Sequence, residues 1–403
     1  MGLSSAVFFL LGLAAHVSVP SRLPLSLKFL SPSIGWLFTS AILRRISPLL
    51  YSLILGIQGL ATFWWYFKFG ESNTPFLRML ACPFISTILG GLTSMAYYVP
   101  KNRLGITLLM IYQFRSVLGG LIMLVVFPAS TIQFLVSQKN RETIYDNTYS
   151  HLVNQLNKRV DRIKIPSEDG ESLDTVIVRQ PYDTSRWIMY FGGNAEFLES
   201  SLFENSAFAD QIRANLILFN ARGVGRSSGC VSQLSDLVKD SLTVARHVVK
   251  RERILPSNLV LFGHSIGGAL AAEVAACGFP TSILVLDRSF SNFYDAAALF
   301  SPFTPAVTKF ILFHCIGELN TIRSWNFIQH NRKLMLYARK DEIIPYQTAS
   351  IARLLQFQPD GQDSKYALEL HGDKILSWHN SPLFAFSEKD AVVAYLNRCF
   401  TSE

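Results

Sequence analysis

Gly263-His-Ser-Ile-Gly267 sets one serine between two glycines, and its surroundings decide what that pattern is worth. A short apolar run, 259–262, leads into it, and the small-residue run Gly268-Ala-Leu-Ala-Ala272 leads away. The pattern predicts a strand, a sharp turn and a helix, with Ser265 at the apex. Glycines are needed on both sides, because the serine backbone is strained and strand and helix pack closely around it. The five-residue pattern alone arises often by chance; bracketed by an apolar strand and an Ala/Gly helix it is much rarer. A hydroxyl held this way becomes a nucleophile only when a base takes its proton and an acid orients that base.

The elements that must position such a group follow one another from residue 159 onward. Val160-Asp-Arg-Ile-Lys-Ile165 alternates, Ser167-Glu-Asp-Gly170 turns, and Thr175-Val-Ile-Val178 runs back, which predicts a hairpin. Trp187-Ile-Met-Tyr-Phe191 reads as a buried strand entering Gly192-Gly-Asn194, and Leu216-Ile-Leu-Phe219 as the next strand. Leu234, Leu237, Val238, Leu242, Ala245, Val248 and Val249 then recur at helical spacing. Further strands are expected at 259–262, 283–286, 333–337 and 366–370, with a closing helix at 390–396. Strands separated by helices at this rhythm predict an α/β fold around a mostly parallel sheet. Residues 293–330, rich in phenylalanine, read as a helical cap over the serine or as helix core.

Residues 160–400 resemble the α/β-hydrolases, on four motifs in order: Gly192-Gly-Asn194, Arg222-Gly-Val-Gly-Arg-Ser227, Gly263-His-Ser-Ile-Gly267 and Asp341-Glu-Ile-Ile-Pro345. More narrowly, the chain resembles membrane-tethered lipase, thioesterase and peptidase-like members, whose early strand ends in His-Gly-Asn and whose last motif is His-Asn. Its apolar N-terminal third joined to such a domain is also similar to the chlamydial CHLPS-type hydrolases. The resemblance implies the chain order serine, acid, histidine. It assigns Ser265 as nucleophile, Asp341 as acid and His379, in Ser377-Trp-His-Asn380, as base. Asp287, ending a strand, is the competing acid, with an ion pair to Arg288 or a helix cap as its structural alternative. His371 is the competing base. Glu342 reads as solvated, and His264 as a packing or substrate-rim residue.

Acyl transfer creates an oxyanion that needs two preplaced N–H donors. The backbone of Ile266, just past the serine, is one, and Asn194, after the early strand, is the other. One departure stands out: Gly192 occupies a position where the family commonly has a histidine that props this loop. Arg222-Gly-Val-Gly-Arg-Ser227 lacks the Lys-Ser/Thr ending of a phosphate loop and reads as a structural turn. No cluster has metal-ligand spacing, and no cofactor is called for. Five cysteines show neither metal spacing nor a disulfide framework.

Charge divides the chain unevenly. Residues 1–136 hold nine of the 37 Lys and Arg but only one of the 29 acids, so the remainder carries 28 of each. The whole excess of +8 therefore lies in the N-terminal third, between apolar runs. That spacing fits membrane flanks and speaks against nucleic acid as a partner. Stretches 49–67, 79–98 and 116–136 are uncharged and of the length that spans a hydrocarbon core, with 3–19 as a further apolar segment. The expected organisation is an all-helical transmembrane region at 1–136, a polar helical connector at 137–158 and a hydrolase domain at 159–403. Flanking charges leave the side of the membrane that holds the hydrolase domain open.

Together these readings predict an integral membrane serine hydrolase with the lipid bilayer and a lipid or acylated substrate as partners. It would cleave carboxylic esters or thioesters through a Ser-Asp-His triad and an acyl-enzyme. A serine peptidase or amidase stays open, since one triad serves all acyl transfers. So does a non-catalytic membrane protein that keeps the fold as an interaction module.

Overall fold

The computed structural model describes Ile122 and residues 138–401, apart from 302, 329–331, 357–365 and 374. The stretches read above as membrane spans, Ile122 excepted, lie outside the described residues. Among the described residues no helix is long and apolar enough to cross a membrane.

Among the described residues eight strands form one sheet in the order β1-β2-β4-β3-β5-β6-β7-β8. They are β1 Arg159–Pro166, β2 Ser172–Arg179, β3 Trp187–Phe191, β4 Asn215–Phe219, β5 Leu259–His264, β6 Ile283–Asp287, β7 Lys333–Tyr337 and β8 Ala367–Glu369. The hairpin of β1 and β2 is antiparallel, with Val160 opposite Val178, and β2 runs antiparallel to β4. All other neighbours are parallel. Every residue of β6 and β7 is buried, as expected of strands covered on both faces. Successive side chains point to opposite faces. Met189, Ile217, Leu261, Leu284 and Met335 thus enter one apolar core, and Ile188, Leu216, Val260, Val285 and Leu334 the other.

Among the described residues from 138 on, nine α-helices accompany the sheet: α1 Gln138–Ser150, α2 Leu198–Gln211, α3 Leu234–Glu252, α4 Ile266–Gly278, α5 Phe293–Ala298, α6 Pro305–Ile316, α7 Thr321–Phe327, α8 Ile351–Gln356 and α9 Lys389–Thr401. Helices α3 and α4 cover the first core, while α2 and α9 cover the second. In α3, Leu234, Leu237, Val244, Ala245 and Val248 form the buried stripe that the helical spacing predicts. Its start is held by Asp236, whose carboxylate accepts the N–H groups of Ser232 and Gln233 at 2.9 and 3.0 Å. The turn at 222–227 is structural: Arg222 donates to both oxygens of buried Asp240, at 2.8 and 2.5 Å, and to Asp169 at 2.7 Å.

The aromatic insertion between β6 and β7 divides between its two readings. Tyr294, Leu312, Ile316 and Trp325 are buried in the first core, whereas Phe300, Phe303, Phe310 and Phe313 stand exposed.

Helix α4 can lie against the sheet only because its first turn has no side chains in the way. A Cβ on Gly267 would come within 2.0 Å of the Phe191 carbonyl oxygen, and one on Gly263 within 2.1 Å of the Gly267 carbonyl oxygen. Both obstacles are backbone, so neither can swing aside. Gly267→Ala is therefore expected to destabilise the domain by about 1–3 kcal/mol or more, read as a lower denaturant midpoint. An unchanged midpoint would show that strand and helix are not in this contact.

Candidate active site

Ser265 sits between the C-terminal end of β5 and the first residue of α4, with φ 54° and ψ −122°. A non-glycine residue holds such a backbone only when its surroundings insist on it. Here the surroundings are the end of β6. The Ser265 N–H donates to the Asp287 carbonyl at 2.9 Å, and the Ser265 carbonyl accepts from Ser289 Oγ at 2.8 Å. The residue stays only 6% exposed.

The structure brings His379 to that hydroxyl, with Nε2 2.9 Å from Ser265 Oγ. On the other side of the ring, Nδ1 lies 3.0 and 2.9 Å from the two carboxylate oxygens of Asp341. A proton on Nδ1 satisfies both contacts: Nδ1–H donates to Asp341, and Nε2 accepts from the serine hydroxyl. Asp341 Oδ1 also accepts the backbone N–H groups of Ile343 and Ile344, at 2.9 and 2.7 Å, so the turn after β7 fixes the carboxylate. Asp341 and His379 are 5% and 4% exposed. Burial pushes the His379 pKa below the ordinary imidazole value, against the pull of Asp341, and neighbouring His264 and Arg288 lower it further. The ring is neutral near pH 7, the state a general base needs.

The competing residues go elsewhere. His371 points to solvent, its side chain 64% exposed, and its Nδ1 lies 3.0 Å from Glu388. Asp287 is buried against Arg288, at 2.8 and 2.7 Å, and His264 Nδ1 is 3.1 Å from its Oδ2. Burial alone would raise the Asp287 pKa, but Arg288 and His264 hold its carboxyl below the usual carboxylate range. The ion-pair reading of Asp287 is the one the structure shows. His264 packs beside the base, the two rings 4.9 Å apart.

Glu342 is exposed, as the sequence reading has it, and it also has a task at the site. It accepts from Ser377 Oγ and, at 3.0 Å, from the Trp378 N–H, and so grips the loop that carries His379. Nothing in the local sequence announces this, because the partners are 35 and 36 residues away.

The loop after β3 has Gly192 where the resemblance led to the expectation of a histidine. Glu196 props this loop: its Oε2 accepts the Gly193 N–H at 2.7 Å, and the Tyr190 hydroxyl donates to the same carboxylate at 3.1 Å. Gly193 must be glycine, since a Cβ there would meet His264 Cδ2 at 2.9 Å. Asn194 follows on the exposed side of this loop, and Ile266 opens α4 directly after the serine. Among the described residues no group of three or more His, Cys, Asp or Glu could hold a metal ion.

A strand-turn-helix serine on a mostly parallel eight-stranded sheet, with an acid and a histidine on loops after later strands, defines a class. The chain belongs to the alpha/beta hydrolase family, whose sequence model matches residues 191–396, just over half of it. A second model, described as Chlamydia CHLPS protein (DUF818), matches residues 82–282. Among curated proteins, bem46 of Schizosaccharomyces pombe is 25% identical over 194 residues, 47% of this chain and 64% of its own length. The uncharacterized protein YfhR of Escherichia coli K12 is 31% identical over 170 residues, 40% of this chain and 56% of its own. The alpha/beta hydrolase domain-containing protein WAV2 of Arabidopsis thaliana is 28% identical over 151 residues, 37% of this chain and 49% of its own. The chain thus spans about half to two thirds of the length of these relatives. Among solved structures, an esterase of Pyrococcus furiosus superposes with a TM-score of 0.47 at 15% identity, covering 61% of this chain and 92% of that one.

Proposed function

We propose that the protein is a membrane-anchored serine hydrolase that cleaves carboxylic esters or thioesters through an acyl-enzyme on Ser265. The observation that carries this reading is the unbroken line of contacts from Ser265 Oγ through His379 to Asp341, on a serine held at φ 54°. Ser265 Oγ attacks the acyl carbon while its proton passes to His379 Nε2. The new C–O bond leaves charge on the former carbonyl oxygen. The N–H groups of Ile266 and Asn194 are the donors assigned to that charge, Ile266 having the added field of a helix N-terminus. The tetrahedral adduct collapses as the imidazolium protonates the departing alkoxide or thiolate. Water then repeats the sequence against the acyl-enzyme and frees the acid.

Two features favour a lipid or acylated substrate at a membrane surface. One is the run of uncharged stretches at 49–67, 79–98 and 116–136, which precedes the hydrolase domain. The other is the exposed phenylalanine face of the insertion that follows β6.

The test is turnover by the purified full-length chain on matched ester and thioester panels of increasing acyl length, followed across pH. Turnover favouring longer acyl chains is expected. Because His379 must be neutral to accept the serine proton, kcat/KM falls as pH drops through its pKa. That pKa lies below the usual 6.5, so the acid limb is expected below pH 6.5. No turnover on either panel would contradict the reading, and an acid limb at or above pH 7 would contradict His379 as a buried neutral base.

A further inference from the structure

Arg288 lies outside the line from Ser265 to Asp341, yet it supports that line from behind. It follows β6 with φ 48°, and its side chain is buried among the loops of the site. Nε and Nη2 clamp the two carboxylate oxygens of Asp287, at 2.8 and 2.7 Å. Nη1 donates to the backbone carbonyls of Trp378 and Ser381, at 2.9 and 2.7 Å. Those two carbonyls bracket His379 in the chain. The residues on either side of Arg288 bind the serine's own backbone: the Asp287 carbonyl accepts from Ser265 N–H, and Ser289 Oγ donates to the Ser265 carbonyl. Residues 287–289 therefore hold nucleophile and base in one frame, and the guanidinium is the part that reaches the base.

We propose that Arg288 is a positioning residue for acyl transfer. It fixes the 377–381 loop so that His379 Nε2 stays within hydrogen-bond reach of Ser265 Oγ, and Asp287 serves as its anchoring counter-ion. The proposal rests on the reading of Ser265 and His379 given above. The geometry asks for arginine in particular. One planar fork meets a carboxylate on one edge and two carbonyls on another, which a lysine ammonium cannot span. A displacement of about 1 Å at a reacting group is worth roughly 10²-fold in rate, so a loosened loop has a large effect without any group being lost from the chemistry. Arg288 also places a positive charge near His379, which Asp341, His264 and the Ser265 hydroxyl face directly, with Asp287 behind His264 and Glu342 on the adjoining Trp378 N–H. Removing that charge eases protonation of the ring.

The test compares the wild-type full chain with Arg288→Lys, with Arg288→Ala, and with the double variant Asp287→Asn/Arg288→Met, which leaves no uncompensated buried charge behind. The readouts are the rate of fluorophosphonate labelling at Ser265, steady-state kinetics on an ester, and the pH profile. The expected result is a fall in labelling rate and kcat of about 10-fold for the lysine variant and about 10²-fold for the double variant, with KM within about twofold. In Arg288→Ala only the positive charge is lost, so the acid limb moves to higher pH, and millimolar guanidinium, with the emptied site and the Asp287 carboxylate to bind, restores part of kcat. Variants labelled at the rate of a labelled wild type would overturn this proposal alone. A slowed Arg288→Ala with an unmoved acid limb and no rescue would mark a merely structural role and overturn it as well. A wild-type chain that takes no label overturns the serine reading itself and this proposal with it.

Discussion

Replacing Ser265 by alanine is expected to lower kcat by about 10⁶-fold on any ester or thioester the protein turns over, with KM little changed. The size of the effect follows from how the parts depend on one another. His379 and Asp341 act only through the serine hydroxyl, 2.9 Å from Nε2, so without it they have nothing to activate. What remains is binding and the oxyanion donors, which alone leave roughly 10³-fold over water. Alanine keeps the Cβ, the strained backbone at φ 54° and the close packing of α4 on the sheet, so the fold is expected to survive. Steady-state turnover beside a circular dichroism spectrum separates the two. A folded variant within tenfold of wild type would remove Ser265 from the chemistry.

Asp341→Asn is expected to cost about 10⁴-fold in kcat, again with a folded protein. Asparagine fits the same space, but its amide oxygen must go to the Ile343 and Ile344 N–H groups that Oδ1 now accepts. Its NH₂ is then turned toward His379 Nδ1, where a donor meets a donor. The ring answers by moving its proton to Nε2, and the nitrogen facing Ser265 can no longer take a proton. The loss is thus one of tautomer and of the charge that steadies the imidazolium, not of position. Kinetics on the ester panel read it directly. A loss smaller than about tenfold would contradict Asp341 as the orienting acid and return attention to Asp287.

The scaffold was legible because its strands are buried on both faces and so read as short apolar runs. Ile283-Leu-Val-Leu286 and Lys333-Leu-Met-Leu-Tyr337 fall on β6 and β7 for that reason. At the sheet edge the signal weakens, and β8 is three residues where five were expected. Ser265 was legible through its glycines, whose necessity is steric and local. Its supports were not. Glu196, Glu342 and Arg288 are charged residues in loops, where a sequence shows only something solvated. Glu196 meets a hydroxyl and an N–H six and three residues away. Glu342 and Arg288 reach groups gathered by the fold, 35 and 36 residues away for Glu342 and some 90 for the two carbonyls at Arg288. Choosing between His371 and His379 was likewise a matter of where a loop turns: one ring ends against Glu388 in solvent, the other beneath His264 at the serine.

Acyl-enzyme formation on Ser265 is most directly tested by treating the purified full chain with a fluorophosphonate and mapping the adduct by peptide mass. One equivalent is expected on the peptide containing Gly263-His-Ser-Ile-Gly267, at Ser265, and none in Ser265→Ala. An unlabelled wild type, or an adduct that persists in Ser265→Ala, would contradict the assignment of this chain as a serine hydrolase acting through that residue.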